Sequence, residues 1–199
     1  MKQIFTVLIV VMSATAWASD LKEARLALDS DFCTPSSQFS GGLLIDDAAD
    51  AERRYTLAAE QGDAEAQKSL GMMYLTGLGV QTDYTEAVRW YKLAAEQGDL
   101  GAQSMLAWLY DVGTVVPQDY SEAAVWRRLS AEQGDAFAQV NLGLMYECGL
   151  GVQQDYTEAV RWYTLAAEQG YAQSNLGWMY YEGLGVQQDY TEAVRWYTL

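Results

Sequence analysis

Histidine is absent from the 199-residue sequence, and cysteine and proline occur only twice each. Because histidine is the commonest general base and a frequent metal ligand, its absence excludes His-based catalytic triads and His metal sites. The two cysteines, Cys33 and Cys148, are too few for a zinc site. In an oxidising compartment they could form a disulfide, and the alternative is two unpaired thiols with Cys148 partly buried.

Basic residues are also scarce. The chain has 12 Lys and Arg against 27 Asp and Glu, so its formal net charge is −15. Such an acidic protein is repelled by nucleic acid and by anionic lipid, and we expect no nucleic-acid partner. An acidic balance by itself is typical of a solvated surface and indicates no acid-dependent activity.

Apolar runs long enough to cross a bilayer, about 20 residues, are missing from the chain. At the N-terminus, Lys2 precedes an apolar run over residues 4–12 and the small-residue sequence Ala16-Trp17-Ala18. This pattern predicts a secretory signal peptide over residues 1–18, cut after Ala18. An uncleaved membrane anchor is the alternative, for which the apolar run is short. We expect a periplasmic or secreted protein with no integral membrane segment after cleavage.

What the sequence does contain is a repeat. DYTEAVRWY occurs at residues 83–91, 155–163 and 189–197, with a variant, DYSEAAVWR, at residues 119–127. The opening aspartates stand at 83, 119, 155 and 189, which gives spacings of 36, 36 and 34. A period of this size indicates an array of stacked units. Within residues 63–76 and 84–97, apolar residues recur at i, i+4, i+7 and i+8, so each unit is predicted to contain two helices.

Helix boundaries are marked by polar residues and glycine. Asp83 with Glu86 predicts a capping-box-like start for the second helix of a unit. The repeated glutamates are therefore expected to stabilise helix starts, and a catalytic role for them is not favoured. Aspartates after each AEQG sequence are expected to cap the next first helix. The glycines of that sequence are expected at positive φ, where they end a helix; they are Gly98, Gly134 and Gly170.

The RWY half of the motif is predicted to be packing. One tryptophan recurs in each unit and should fill the seam between units, as a ladder of core side chains; the four are Trp90, Trp126, Trp162 and Trp196. Small residues recur on the first helices and should allow two helices to approach closely; they are Gly71, Ala107, Gly143 and Gly177.

The repeated unit closely resembles the Sel-1-like repeat, a relative of the tetratricopeptide repeat. The resemblance rests on the pattern that begins A-x-A-Q-x-x-L-G-x-x-Y at Ala64 and ends A-A-E-Q-G at Gly98. It implies an all-α fold, a right-handed α-solenoid of stacked helix-turn-helix repeats of about 36 residues. It also implies that the inner surface of the solenoid binds other proteins, and that this chain is an exported bacterial member of the family.

The resemblance divides the chain into seven segments. A signal peptide (1–18) and an irregular lead-in with a short helix (19–46) precede a partial repeat that has the second helix only (47–62). Full repeats follow at 63–98, 99–134 and 135–170, and a truncated fourth repeat spans 171–199. We refer to the last four segments as units 1 to 4.

Units 2 and 4 depart from the pattern. Unit 2 has Val115 in place of the second loop glycine, which predicts a turn rebuilt around Pro117, and Arg127 in place of a tyrosine. Unit 4 has lost two residues, which shortens its first helix. The sequence stops before the AAEQG that would finish its last helix, so apolar surface around Trp196 and Tyr197 is expected to be exposed, with self-association as one consequence.

A variable stripe on the first helices is the predicted partner-binding surface. In tetratricopeptide-like solenoids the first helices line the concave groove, and three positions on one face of each first helix differ between units. The alternatives are an unconstrained surface or tryptophans that pack between repeats. The stripe comprises Lys68, Met72, Leu75, Ser104, Trp108, Asp111, Val140, Leu144, Glu147, Ser174, Trp178 and Tyr181.

These observations favour a non-enzymatic adaptor that binds a protein or peptide in the bacterial envelope, with no cofactor or metal. An envelope factor that binds glycan or peptidoglycan is the alternative. A hydrolase of β-lactamase type is a remote third possibility, because Ser19-Asp20-Leu21-Lys22 matches S-x-x-K and some cysteine-rich Sel-1-like proteins have been described as β-lactamases. The S-D-N and K-T-G partners of that motif are missing.

Overall fold

The structure, a computed structural model, describes residues 44–199, which form nine α-helices and no strand. The helices are α1 (Leu44–Glu60), α2 (Ala64–Thr76), α3 (Tyr84–Glu96), α4 (Leu100–Val112), α5 (Tyr120–Glu132), α6 (Ala136–Cys148), α7 (Tyr156–Glu168), α8 (Gln173–Glu182) and α9 (Tyr190–Tyr197). The predicted signal peptide, the lead-in up to residue 43, the S-x-x-K motif and Cys33 lie outside the described residues.

Each helix packs mainly against its neighbours in sequence, so the helices form consecutive layers. The first helices of units 1 to 4 are α2, α4, α6 and α8, and the second helices are α3, α5, α7 and α9. This arrangement confirms the predicted all-α solenoid. Helix α1 lies where a second helix alone was expected, and it begins at Leu44, within the segment that was assigned to the lead-in.

Aspartates cap both kinds of helix. The Asp99 carboxylate accepts a hydrogen bond from the Ala102 N–H at 2.7 Å, and Asp135 caps α6 in the same way. Asp83 caps α3 as predicted, and its carboxylate accepts hydrogen bonds from the Thr85 and Glu86 N–H groups. The Asp83 N–H does not donate to the Glu86 carboxylate, as it would in a full capping box. That N–H donates instead to the Tyr74 carbonyl at 3.0 Å, which closes the turn between the two helices. The Glu86 carboxylate therefore faces outward and pairs with Arg89 at 2.8 Å.

The glycines that end the second helices adopt positive φ as predicted, for example 92° at Gly98. The loop inside a unit uses glycine for a different reason. A Cβ at Gly151 would lie 2.0 Å from the Tyr120 carbonyl oxygen, because this loop packs on the start of the previous unit's second helix. Val115 is not in the left-handed region, so the corresponding turn of unit 2 has a different backbone conformation.

The tryptophan ladder lies in the core. Trp90, Trp126 and Trp162 are 3–7% exposed, whereas Trp196 is half-buried. Trp162 packs with Ala131 of the preceding unit and with its own unit, which confirms that these side chains fill the seams. Burial of an aromatic side chain removes about 150–250 Å² from water, so the ladder supplies a large share of the hydrophobic stabilisation.

A ladder of buried glutamines joins consecutive units, and sequence inspection did not single it out. The Gln103 Nε2 donates to the Ala95 carbonyl at 3.0 Å, and its Oε1 accepts from the Gln133 Nε2 at 3.0 Å. The equivalent bonds recur at Gln67 and Gln139. Each glutamine therefore links the end of the previous unit's second helix to the end of its own.

Unit 4 is irregular at its start, as the two-residue deletion predicted. Helix α8 has 10 residues where the other first helices have 13. The deletion removes the capping aspartate, and the N-cap residue is Ala172, which has φ of 59° and makes no side-chain cap bond. In the last helix, Val194 is 60% and Tyr197 48% exposed, so apolar surface is present there as expected.

The Cys148 side chain ends α6. It is exposed, so the expectation of a partly buried thiol is wrong: the residue lies in the last turn of the helix, where the chain leaves the layer. Partial desolvation and the neighbouring Glu147 carboxylate raise the pKa of the thiol. The bridge to Cys33 stays a prediction.

Candidate functional site

The variable stripe lies along α2, α4, α6 and α8, and its accessibility changes from unit to unit. Its three members in unit 1 and its three members in unit 3 are half-buried. In unit 4 all three are exposed, with Trp178 at 45% and Tyr181 at 47%. Ser104 of unit 2 is exposed, and Trp108 is half-buried. The most accessible large apolar side chains of the stripe are therefore in unit 4.

Lys68, in unit 1, links two units. Its ammonium lies 2.6 Å from the Glu65 carboxylate and 3.5 Å from that of Asp99, the residue that caps α4. Burial alone would lower the pKa of Lys68, but the two carboxylates raise it above its ordinary value. Lys68 thus keeps its positive charge and is held against the start of the next unit.

Two acidic members of the stripe contact their own unit's second helix. Asp111 forms a salt bridge with Arg127, and both side chains are less than one-fifth exposed. Burial raises the pKa of Asp111, while the Arg127 guanidinium opposes that shift. Glu147 accepts a hydrogen bond from the Tyr163 hydroxyl at 2.7 Å. These two carboxylates have a structural role in addition to any exposure to a partner.

The Asp111–Arg127 pair links three positions at which unit 2 differs from the other units. The other units have a tyrosine at the position of Arg127, and Tyr91 and Tyr163 are almost fully buried. A Cβ at Gly143 would lie 2.7 Å from the Tyr163 ring, so glycine is needed opposite tyrosine. Unit 2 has alanine on its first helix at the equivalent position and places the aspartate one turn further along. The three substitutions form one packing solution.

Unit 4 carries a connected group of exposed aromatic rings. Trp178 and Tyr181 stack with ring centroids 6.0 Å apart and an interplanar angle of 22°. Tyr190, at the start of α9, meets Tyr181 edge-on at 5.4 Å and is 58% exposed. Sequence inspection missed Tyr190 because tyrosine occupies this position in every copy and so seemed purely structural. We call Trp178, Tyr181 and Tyr190 the aromatic cluster.

Within residues 44–199, neither a cluster of metal ligands nor a membrane-spanning helix is present. No group of three or more His, Cys, Asp or Glu side chains in this range is placed to hold a metal ion. Nor does any helix in the described range have the length and apolar character needed to cross a membrane. Burial raises the pKa of the buried tyrosines Tyr91 and Tyr163, and the Glu147 carboxylate raises that of Tyr163 further.

Comparison with known proteins identifies the repeat. The family model described as Sel1 repeat matches residues 64–99, 101–135, 136–171 and 170–199. None of the curated proteins compared with the sequence matches it significantly. Proteins built from Sel1 repeats generally mediate protein–protein interaction and are typically non-enzymatic scaffolds.

Two solved structures are similar in sequence and fold. A protective antigen present in uropathogenic Escherichia coli strains, which displays an SLR fold, is 43% identical with a TM-score of 0.65 over 74% of this chain and 32% of its own. A Sel1 repeat protein from Oxalobacter formigenes is 39% identical with a TM-score of 0.67 over 75% of this chain and 63% of its own. This chain thus spans about a third of the first and under two thirds of the second. On the repeat-by-repeat match and the helical layers, the chain belongs to the Sel1 repeat family.

Proposed function

We propose that this protein is a non-enzymatic adaptor of the bacterial envelope that binds a protein or peptide partner through the variable stripe of its first helices, on the concave face of the solenoid. The observation that carries the proposal is the aromatic cluster. Trp178 and Tyr190 both contact Tyr181, yet each of the three side chains remains about half exposed. Rigid aromatic side chains of this kind contribute most of the affinity in many protein interfaces, where Trp and Tyr are enriched.

The chemistry of the stripe favours a partner segment with apolar anchors. Met72, Leu75 and Leu144 extend the apolar character along the stripe into units 1 and 3, and an amphipathic helix or extended peptide presents side chains at matching intervals. The carboxylates of Asp111 and Glu147 are already engaged, so they contribute mainly by holding the second helices in place.

A capture experiment tests the proposed surface. The purified protein is immobilised, and the material it retains from envelope extract is analysed for protein and for glycan. The stripe variant is Trp178→Ala with Tyr181→Ala. The control variant is Tyr55→Ala with Leu57→Ala, which removes two exposed apolar side chains of α1 outside the stripe. Each retained protein is then purified and its dissociation constant measured with both variants.

We expect a protein that binds the wild type and the control with equal affinity, and the stripe variant at least about tenfold more weakly, since removal of hot-spot side chains commonly costs 2 kcal/mol or more. A partner that binds both variants equally would show that the stripe is not the binding surface. Retention of glycan alone would favour the alternative function, an envelope factor that binds glycan or peptidoglycan.

The envelope location is tested on the same protein. Cells that express the full chain with a C-terminal tag are fractionated, and the N-terminus of the product is determined. Export with cleavage after Ala18 gives a mature N-terminus at Ser19 and a product in the periplasm or the medium. A product that retains residue 1 and stays in the cytoplasm would contradict both export and the envelope adaptor.

A further inference from the structure

A further position lies near the start of each first helix, three residues before the first position of the stripe and seven before the second. On a helix, residues at this spacing share one face, so the position extends the stripe by one turn. It changes from unit to unit: it is charged in unit 1, has no side chain in unit 2 and is aromatic in units 3 and 4. The four residues are Glu65, Gly101, Phe137 and Tyr171.

Phe137 and Tyr171 form an exposed pair where α6 and α8 begin. Their ring centroids are 4.9 Å apart with an interplanar angle of 55°, and the side chains are 61% and 41% exposed. In unit 1 the equivalent Glu65 instead forms a salt bridge with Lys68 at 2.6 Å. We call Phe137 and Tyr171 the aromatic pair. It places apolar surface at a point where the first unit is charged.

The aromatic pair and the aromatic cluster lie at opposite ends of the same two helices. Phe137 stands seven residues before Leu144 on α6, a distance of about 10 Å along the helix axis. In unit 4 the position of Leu144 is held by Trp178, the first ring of the cluster. Val140 and Leu144 are half-buried between the two groups, and Ser174 is small and exposed. Units 3 and 4 therefore offer two groups of exposed rings about two helical turns apart.

This surface has no basic side chain, because neither α6 nor α8 contains lysine or arginine. The only basic residues of units 3 and 4 are two arginines of the second helices, and each pairs with a glutamate of its own helix. Asp135 precedes Phe137, and Glu182 follows Tyr181. Neither carboxylate forms a salt bridge with another described side chain. Negative charge thus flanks both groups of rings.

We propose that this surface binds a basic amphipathic helix of the partner, with one apolar side chain at the aromatic pair and a second, seven positions along, at the aromatic cluster. The helix belongs to the protein partner that the proposed function assigns to the stripe, so the proposal depends on that function. Seven residues of a helix span about 10 Å and return to nearly the same face, which lets one helix reach both groups of rings. Its lysine and arginine side chains complement the flanking carboxylates and can also contact aromatic faces.

Peptide binding tests the spacing and the charge. A fluorescein-labelled, alanine-rich peptide of about 20 residues, long enough to be partly helical, carries two leucines seven positions apart with lysines beside them. It is titrated with the full-length protein at about 0.15 M salt, where exposed charges are partly screened. We expect saturable binding. A peptide of the same composition with the leucines four positions apart spans only about 6 Å and should bind about tenfold more weakly. Glutamine in place of lysine should weaken binding by a similar factor of about ten.

Two protein variants separate the aromatic pair from general attraction to an acidic protein. Phe137→Glu gives unit 3 the residue that unit 1 has at this position, so the fold is expected to be intact. It adds a negative charge, which by itself would strengthen binding of a basic peptide, but it removes an anchor and should weaken binding at least about tenfold. Leu57→Glu is the matched control, because Leu57 lies on α1, is also 61% exposed and acquires the same charge. We expect it to bind the peptide like wild type.

The stripe variant, Trp178→Ala with Tyr181→Ala, removes the other anchor and should also weaken binding at least about tenfold. Unchanged or tighter binding to Phe137→Glu would overturn the proposal, as would equal binding of the two leucine spacings or equal effects of Phe137→Glu and Leu57→Glu. Weakening by the stripe variant alone would refute the second anchor and leave the proposed function standing. Retention of glycan alone in the capture experiment would instead refute the proposed function itself, whatever the peptide result.

Discussion

Replacement of Gln103 by methionine tests whether the glutamine ladder couples the units. Gln103 is 2% exposed, and its amide makes two hydrogen bonds, one to the Ala95 carbonyl of unit 1 and one to Gln133 at the end of its own unit. Methionine has nearly the same length and helix propensity, so Gln103→Met removes the hydrogen bonds while the space stays filled. The variant therefore measures the polar contacts and not a cavity.

The expected loss follows from what each partner keeps. The Ala95 carbonyl still accepts a bond from the Gly98 N–H at 3.0 Å, and the exposed Gln133 amide can turn to water. No buried group is left without any partner, so the loss is that of two ordinary hydrogen bonds at about 0.5–1.5 kcal/mol each. We expect the free energy of unfolding to fall by about 1–3 kcal/mol.

Gln173→Met is the matched control. Gln173 occupies the equivalent position in unit 4, but the two-residue deletion displaces it, and it makes no hydrogen bond to any described residue. Substitution there should change the free energy of unfolding by less than about 0.5 kcal/mol.

Urea unfolding followed by far-ultraviolet circular dichroism provides the measurement. In a short solenoid, a weakened interface between two units also broadens the transition, because each unit is stabilised by its neighbours. A broader transition for Gln103→Met and an unchanged one for Gln173→Met would support coupling through the ladder. Equal effects of the two substitutions, or a change below about 0.5 kcal/mol at Gln103, would refute this reasoning.

Three further substitutions have defined outcomes. Ser130→Ala should raise the free energy of unfolding by about 1 kcal/mol in a denaturant titration, because its fully buried hydroxyl has no hydrogen-bond partner and neighbouring units have alanine there. Gly143→Ala should lower the free energy of unfolding by about 1–2 kcal/mol, because the new Cβ would overlap the Tyr163 ring and the energy of that overlap exceeds the gain in helix propensity. A variant as stable as the wild type would contradict this packing. In a Cys33→Ser background, the pH profile of alkylation at Cys148 should have its midpoint above that of a free thiol. Partial desolvation and the adjacent Glu147 carboxylate raise the pKa of this thiol and reduce its thiolate fraction at neutral pH, so a midpoint at or below the free value would contradict that environment.

The sequence was most informative where a signal recurs in every unit. The roles of Asp99, Gly98 and Trp90 followed from helix capping, backbone conformation and burial, respectively. Each of these residues acts locally or against a neighbouring copy of the same unit. Asp83 starts its helix as predicted, but its N–H does not bond to Glu86 as in a full capping box. In an isolated helix the Asp83 N–H would be free to bond to Glu86, but the fold brings the Tyr74 carbonyl to that N–H.

The candidate sites depend on pairings that spacing does not reveal. Arg127 was predicted to be a departure of unit 2 and Asp111 a member of the variable stripe, and only the packing of α4 on α5 shows that they form one ion pair.

By itself the sequence therefore determined the period, the two helices of each unit, most of their caps and the identity of the core side chains, because these follow from local conformation and from repetition. The tertiary structure decided which variable side chains remain accessible and which are used within the solenoid. That division depends on contacts between residues 16 to 35 positions apart, such as Asp111 with Arg127 and Gln169 with the carbonyl of Gly134. Such contacts form only when the helices stack, and a linear pattern does not specify their geometry.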